Sequence, residues 1–386
     1  MSTAVPAPSV ARSPETATTP AQRRTLLVVD WSPGAAQDLQ QQLQALQEIQ
    51  GTDSGSSAWD VLNCPATPQA AGPERRGTAK LGLALRYLGT ACTAAWRSRD
   101  YAQVVVWQQV IGYLLCLLPR WPRWLCRAKP GGLKTPPRLV ITTVLISPST
   151  APPRSLRRAA LRLALWRADA LVYFSREMAQ DTALHYPRHA HKVFWTPLPQ
   201  LDGAAAEPQT SGAGALTVFA GGYSERDFDV VIRAFQDGQV PVTLVCRQDE
   251  PLRPYGPLSD NFSVHREVSH ARFDALALQA GVVVVALKSG ASGCGQLLFT
   301  FCMRHGIPVI ATDCYGTRDY VVHEETGLLV PAGDAAALRR AYDRLAADWA
   351  LRQRLTAQAR ARSAQWGLSS FVERIDSIAQ TLQTRK

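Results

Sequence analysis

The sequence predicts an α/β fold of two Rossmann-like, doubly wound domains with a cleft between them. Three observations predict it. Residues 307–311, Ile-Pro-Val-Ile-Ala, form a short continuous apolar run of the kind buried on both faces of a parallel sheet. Between residues 216 and 330 such runs alternate with helix-length amphipathic segments, the pattern of a parallel sheet with crossover helices. A further series of apolar runs precedes them, between residues 24 and 195.

In the N-terminal half, residues 24–29 predict a first strand ending at Asp30, followed by a loop at 31–34 and a helix over 35–47. Residues 59–62, 104–107, 139–146, 170–174 and 193–195 predict later strands. Ser175 and Glu177 follow one of these strands and open a helix. They fit two roles: a capping arrangement, with Ser175 as N-cap, or contacts to an acceptor in the interdomain cleft.

In the C-terminal half, residues 216–220, 242–246 and 282–287 predict strands, and 270–279 an amphipathic helix. Gly221-Gly222 and Arg226 follow the first strand, before a helix reaching Phe235. Lys288 and a Gly/Ser-rich loop containing Ser292, Gly293, Cys294, Gly295 and Gln296 follow the third, before a helix over 296–305. Glycines let a backbone approach phosphate closely, and the helix N-terminus adds its positive end. Both loops are therefore candidate diphosphate cradles. Asp227-Phe228-Asp229 formally reads as a metal motif but opens a helix, so it reads as capping and first-turn charge. Gly306 sits at the helix end that favours positive φ. Polar residues Asp313, Thr317 and Arg318 crowd the loop after the strand at 307–311, where open α/β sheets bind ligands. Arg318 and Asp319 are candidates to pair with each other. Asp334 caps another helix, and residues 366–384 carry apolar positions at helical spacing.

A chain of 386 residues holds two ordinary domains, and a hydrophobic fraction of 46% supports full cores. The eight cysteines show no C-x-x-C pair, which argues for a reducing, cytoplasmic setting and against a zinc site. Residues 1–22, rich in Ser, Thr, Ala and Pro, lack the pattern of a secretory signal and predict a disordered tail. Residues 201–214 are rich in Ala and Gly and predict the interdomain linker. The expected domains are then 23–200 and 215–366, with a helix over 367–386 crossing back to the first.

The net charge of +11 has one source. Residues 101–168 hold eleven Lys or Arg and no Asp or Glu, and the rest of the chain balances. Within that stretch Arg120, Trp121, Arg123, Trp124 and Arg127 mix cations with indoles, a combination suited to an anionic membrane surface. The apolar run 104–118 falls short of the ~20 residues of a spanning helix and contains Gln108 and Gln109. No nucleic-acid-binding motif is present.

The run Gly306-Ile307-Pro308-Val309-Ile310-Ala311, its polar loop, and Thr326-Gly327-Leu328-Leu329-Val330 with Gly333-Asp334 occur together. At these residues the sequence resembles the second domain of GT-B glycosyltransferases, family 4 (group 1), over roughly 215–370. The resemblance implies a nucleotide-sugar donor held without a metal or other cofactor, and transfer that retains anomeric configuration. It implies that Arg226 matches a phosphate-gripping cation, while Gly222 replaces the family's Arg. The family's Glu-x7-Glu pair falls on Gly293 and Phe301, so both carboxylates are replaced. No nucleophile or general base is recognisable. The expected function is a cytoplasmic, membrane-surface glycosyltransferase acting on a lipid-linked or polysaccharide acceptor. Two other readings fit the architecture: an inactive scaffold and a nucleotide-sugar epimerase.

Overall fold

The computed structural model describes residues 24–31, 33–50, 58–64, 76–118, 136–149, 151–200, 216–252, 257–288 and 293–384. The expectations for the tail 1–22, the linker 201–214, Ser292, Arg120, Trp121, Arg123, Trp124 and Arg127 lie outside the described residues.

The first domain holds β1 (Arg24–Val29), α1 (Pro33–Gln50), β2 (Ala58–Asn63), α2 (Arg76–Arg97), β3 (Gln103–Val106), α3 (Gln109–Leu117), β4 (Arg138–Ile141), α4 (Leu156–Arg167), β5 (Ala170–Tyr173), α5 (Arg176–His185) and β6 (Val193–Trp195). Its six strands are parallel, in the order β2-β1-β3-β4-β5-β6. Their residues alternate between two buried faces, as a strand's period of two requires. Leu26, Val28, Val104 and Val106 pack on Ala91 and Ala94 of α2 and Ile111 of α3. Leu27, Val29, Val105 and Val172 pack on Leu39 and Leu43 of α1.

The second domain holds β7 (Val218–Gly221), α6 (Phe228–Phe235), β8 (Val242–Cys246), β9 (Phe262–Arg266), α7 (His270–Leu278), β10 (Val282–Val285), α8 (Gln296–His305), β11 (Val309–Thr312), β12 (Leu328–Val330), α9 (Ala335–Ala347), α10 (Trp349–Ser363) and α11 (Leu368–Thr384). The sheet order is β12-β11-β10-β7-β8-β9, again parallel. Strand succession reverses direction between β7 and β10, which makes that gap the topological switch point, the crevice where doubly wound sheets bind ligands.

Several strands are shorter at one end than their apolar runs suggest; β10, for one, stops at Val285. β4 stops at Ile141 because Thr143 takes φ +52° and turns the chain out of the ladder. β11 begins at Val309 because Pro308 has no N–H to give a ladder. Four elements are present that the sequence does not single out: α2, α4, β9 and α10.

The chain returns to the first domain at its end. Gln200 N donates to Trp366 O at 2.7 Å, so the segments leaving and re-entering that domain lie side by side. From there α11 runs across the first sheet, where Phe371 and Ile375 complete the cluster around Trp59 and Phe174. Gln103 Nε2 donates to Asp376 at 3.3 Å and Arg138 to the Ala379 carbonyl at 2.9 Å.

Candidate functional site

The loops after β7 and β10 meet at the switch point of the second sheet. Asp227 N donates to Ala286 O at 3.0 Å and Lys288 N to Glu225 O at 3.0 Å, which zips the two loops together. Asp227 caps α6, accepting from Val230 N at 3.2 Å, as expected.

The first candidate cradle works differently from the expectation. Gly222 N is spent on Val245 O at 3.0 Å, so it does not face a ligand. Gly221 lies in β7, where a Cβ would press within 2.8 Å of Phe219 and Phe273. What these glycines provide is room. Arg226 folds back over them, its Nε donating to Gly221 O at 2.8 Å and Nη1 to Ser224 O at 3.0 Å. A Cβ on Gly222, at φ +135°, would lie 2.5 Å from that Nε. Burial lowers the Arg226 pKa and the neighbouring Cys294 partly restores it, yet a guanidinium stays charged at neutral pH.

The second candidate cradle is described from Gly293 onward. Gly293 and Gly295 take φ +65° and +92°, left-handed values that suit glycine. Gly295 precedes α8 with no side-chain cap and no acid in the first helical turn. Among the described residues of its own first turn and cap, nothing compensates the positive end of α8. Lys288 is exposed at the rim. Gln296 is 8% exposed and packs beside Gly316, whose Cβ would lie 3.5 Å from its Nε2. Among the described residues its amide has no hydrogen-bond partner.

The third loop, after β11, joins the domains. Glu177 accepts from Gly316 N at 3.0 Å and from Arg318 Nη1 at 3.3 Å. Arg318 Nε also donates to Asp313 at 2.6 Å. Asp319 accepts from Arg176 N at 2.7 Å. Arg318 and Asp319 thus pair with different partners and not with each other. Ser175 caps α5 as expected, accepting from Met178 N at 3.3 Å, and also hydrogen-bonds Asp319. Burial raises the Asp319 pKa against the donors of Ser175 and Arg176. Thr317 is fully buried and its hydroxyl meets Cys314 Sγ at 3.2 Å, so its side chain packs inside the loop.

Several residues at the cleft carry no signal in a single sequence. Met178 and Leu145 of the first domain lie against Gly293, where a Cβ would meet them at 2.8 and 3.5 Å. At the carboxyl ends of β1 and β3, the rings of Trp31 and Trp107 lie edge to face, 5.3 Å apart. Beside them Asp30 accepts from Tyr87 and Gln108, both at 3.1 Å. Burial and Asp30 push the Tyr87 pKa up to about 12. Only the strand order, which places β1 beside β3, brings these residues together. Phe301, at the second replaced glutamate, lies against His305 with ring centroids 4.5 Å apart and planes tilted by 46°. No group of three or more His, Cys, Asp or Glu side chains that could hold a metal occurs among the described residues.

Residues 257–362 match the family of glycosyl transferases group 1. The phosphatidyl-myo-inositol mannosyltransferase of Mycobacterium leprae is 28% identical over 201 residues, covering 48% of this chain and 52% of that protein. The chain therefore spans about half the length of the curated relative it matches. Among solved structures, the HepE protein of Anabaena in complex with UDP superposes with a TM-score of 0.57 at 14% identity, covering 94% of this chain and 100% of that one. Sucrose-phosphate synthase of Thermosynechococcus elongatus gives 0.60 at 16% identity, over 94% and 100% of the two chains. The fold is that of GT-B glycosyltransferases, and the family match and these relatives support a glycosyltransferase enzyme.

Proposed function

We propose that this chain, whose second domain carries the group 1 glycosyltransferase signature, transfers a sugar from a nucleotide-sugar donor to a lipid-linked or polysaccharide acceptor at the cytoplasmic face of a membrane. One observation carries the donor half of this reading. Arg226, Lys288, two left-handed glycines and the uncapped end of α8 converge on the switch point between β7 and β10. A UDP-bound protein of the same fold supports it.

The chemistry follows from charge. A sugar leaves as the bond between its anomeric carbon and the diphosphate oxygen breaks, and negative charge builds on the diphosphate. Arg226, Lys288 and the backbone N–H groups of residues 293–297 stabilise that charge in place, with no metal ion. The acceptor hydroxyl enters from the first domain, past α5 and the Trp31–Trp107 pair; its oxygen bonds to the anomeric carbon as the bond to the diphosphate breaks, and its proton passes to the departing diphosphate oxygen. Transfer retains configuration at the anomeric carbon, in line with the family.

The membrane half rests on the basic, Trp-containing stretch and on the lipid in the name of the mycobacterial relative. The eight cysteines form no C-x-x-C pair, which supports a reducing compartment.

Thermal shift against UDP, GDP, ADP and dTDP tests the donor site, because a ligand bound to the native state raises its stability by mass action. A shift with one nucleotide identifies the donor class. A second reading, an inactive scaffold, is favoured by Gly293 and Phe301 standing where the family has glutamates. No shift at millimolar nucleotide would establish that reading instead.

A further inference from the structure

α2 presents a row of exposed side chains: Leu81, Leu85, Leu88, Cys92 and Trp96. The spacing of three or four residues puts all five on one narrow line of the helix. Leu81 is 62% exposed, Leu85 60% and Trp96 55%. The opposite line, through Ala91 and Ala94, is fully buried against the first sheet. The row therefore faces away from the core, where isolated apolar residues are ordinary but an aligned series is not.

The charge around it has one sign. Residues 76–168 hold sixteen Lys or Arg and a single acid, Asp100. Arg86 and Arg97 are exposed on α2 beside the row. The Arg99 guanidinium lies 4.0 Å over the Trp96 ring. α3 packs against both α2 and α4, and α4 adds exposed Leu156 and Trp166 with exposed Arg157 and Arg162. A second copy of this chain is a poor occupant, since a two-fold contact would face these cations with themselves. No described helix is long and apolar enough to cross a membrane.

We propose that α2 lies in the plane of an anionic bilayer surface, with Leu81, Leu85, Leu88 and Trp96 inserted among the acyl chains and Arg86 and Arg97 at the headgroup phosphates. The geometry is that of an interfacial amphipathic helix, with indole and guanidinium at the depth each prefers. α5, whose N-terminus borders the cleft, belongs to the same layer as α4, so a lipid-linked acceptor held in that bilayer lies on the acceptor side. The inference rests on the membrane half of the proposed function and not on its chemistry.

The test is sedimentation of the full chain with vesicles of phosphatidylcholine alone and with phosphatidylglycerol added. Wild type is compared with Leu81→Gln/Leu85→Gln/Leu88→Gln, whose fold is checked by circular dichroism. The expected result is binding of wild type to the anionic vesicles, weakened at least about tenfold in the triple variant. Bromine-labelled acyl chains should quench wild-type fluorescence, and Trp96→Phe should lose part of that quenching. Undiminished binding by the triple variant overturns the proposal, as does undiminished quenching in Trp96→Phe. A wild-type dimer that the triple variant converts to monomer would assign the row to a second copy instead. The nucleotide thermal shift, run on the same samples, reports separately on the donor site.

Discussion

Gly222 and Arg226 share one space. The position a Cβ would take on Gly222 is 2.5 Å from Arg226 Nε, so only glycine lets the guanidinium fold back over the end of β7. Arg226, four residues on in the same loop, is then the cation this loop supplies. Gly222→Ala should push Arg226 out of place and strain a backbone held at φ +135°, at a cost of about 1–3 kcal/mol. The variant should melt earlier in a calorimeter and lose most of its nucleotide-induced shift.

Removing the cation alone separates binding from folding. Arg226→Ala should weaken nucleotide binding about 10- to 100-fold, the loss expected for hydrogen bonds to a charged group. Titration calorimetry of the variant against the nucleotide that stabilises wild type measures it. Lys288→Ala, at the exposed rim, should cost less. Equal affinity of Arg226→Ala and wild type would move the diphosphate away from the switch point.

Glu177 binds the second domain through Gly316 and Arg318 while sitting on the first. The ion pair is half exposed and worth about 0.2–1 kcal/mol, too little to matter for global stability. It is enough to bias an equilibrium between open and closed clefts. Glu177→Gln should leave the melting temperature within about 2 °C but enlarge the radius of gyration in small-angle scattering without nucleotide. An unchanged scattering profile would count against the pair as a closure contact.

Acid should loosen the first domain at Asp181. Burial alone would raise this carboxyl, but hydrogen bonds from Ser147 and Ser149 and the charge of His185 hold it below its usual range. A depressed folded pKa adds stability above the unfolded value of about 3.9, and that stability is lost as pH falls through the folded value. Urea unfolding at pH 6 and pH 3 should show this loss in wild type. Asp181→Asn should show a smaller difference between the two.

Ile375 on α11 is fully buried among residues of the first domain. Ile375→Ala should destabilise by about 2–5 kcal/mol. Chemical denaturation should show that loss while the nucleotide shift of the second domain persists.

Much of the second domain was legible because its signals are local. Gly306 ends α8 at φ +67°, and Asp334 caps α9 by accepting from Ala337 N, both as the sequence predicts. Apolar runs mark β8 and β10 because a strand buried on both faces has no room for polar residues. The edge strand β9, half exposed and reading Phe-Ser-Val-His-Arg, lacks that run. The seam between domains was not legible, because it depends on which loops meet. Arg318 was read against its neighbour Asp319, yet its partners lie at 313 and 177. Thr317 looked like a ligand contact by position, but its side chain turns inward to Cys314.

The side-by-side passage of the chain at Gln200 and Trp366 limits how the two halves can move. Two covalent tethers fixed to each other by a 2.7 Å hydrogen bond act like the pin of a door. Sliding or separation would stretch both, whereas swinging about the line through them stretches neither. The mouth farthest from that pin then sweeps the widest arc. Tyr320, whose ring lies 5.5 Å from that of Trp366 and whose hydroxyl accepts from Leu198 N at 3.0 Å, belongs to that pin. Glu177 and Arg318, two or three residues from its contacts, therefore work close to the axis, and α11, fastened to the first domain, swings with it as part of the frame.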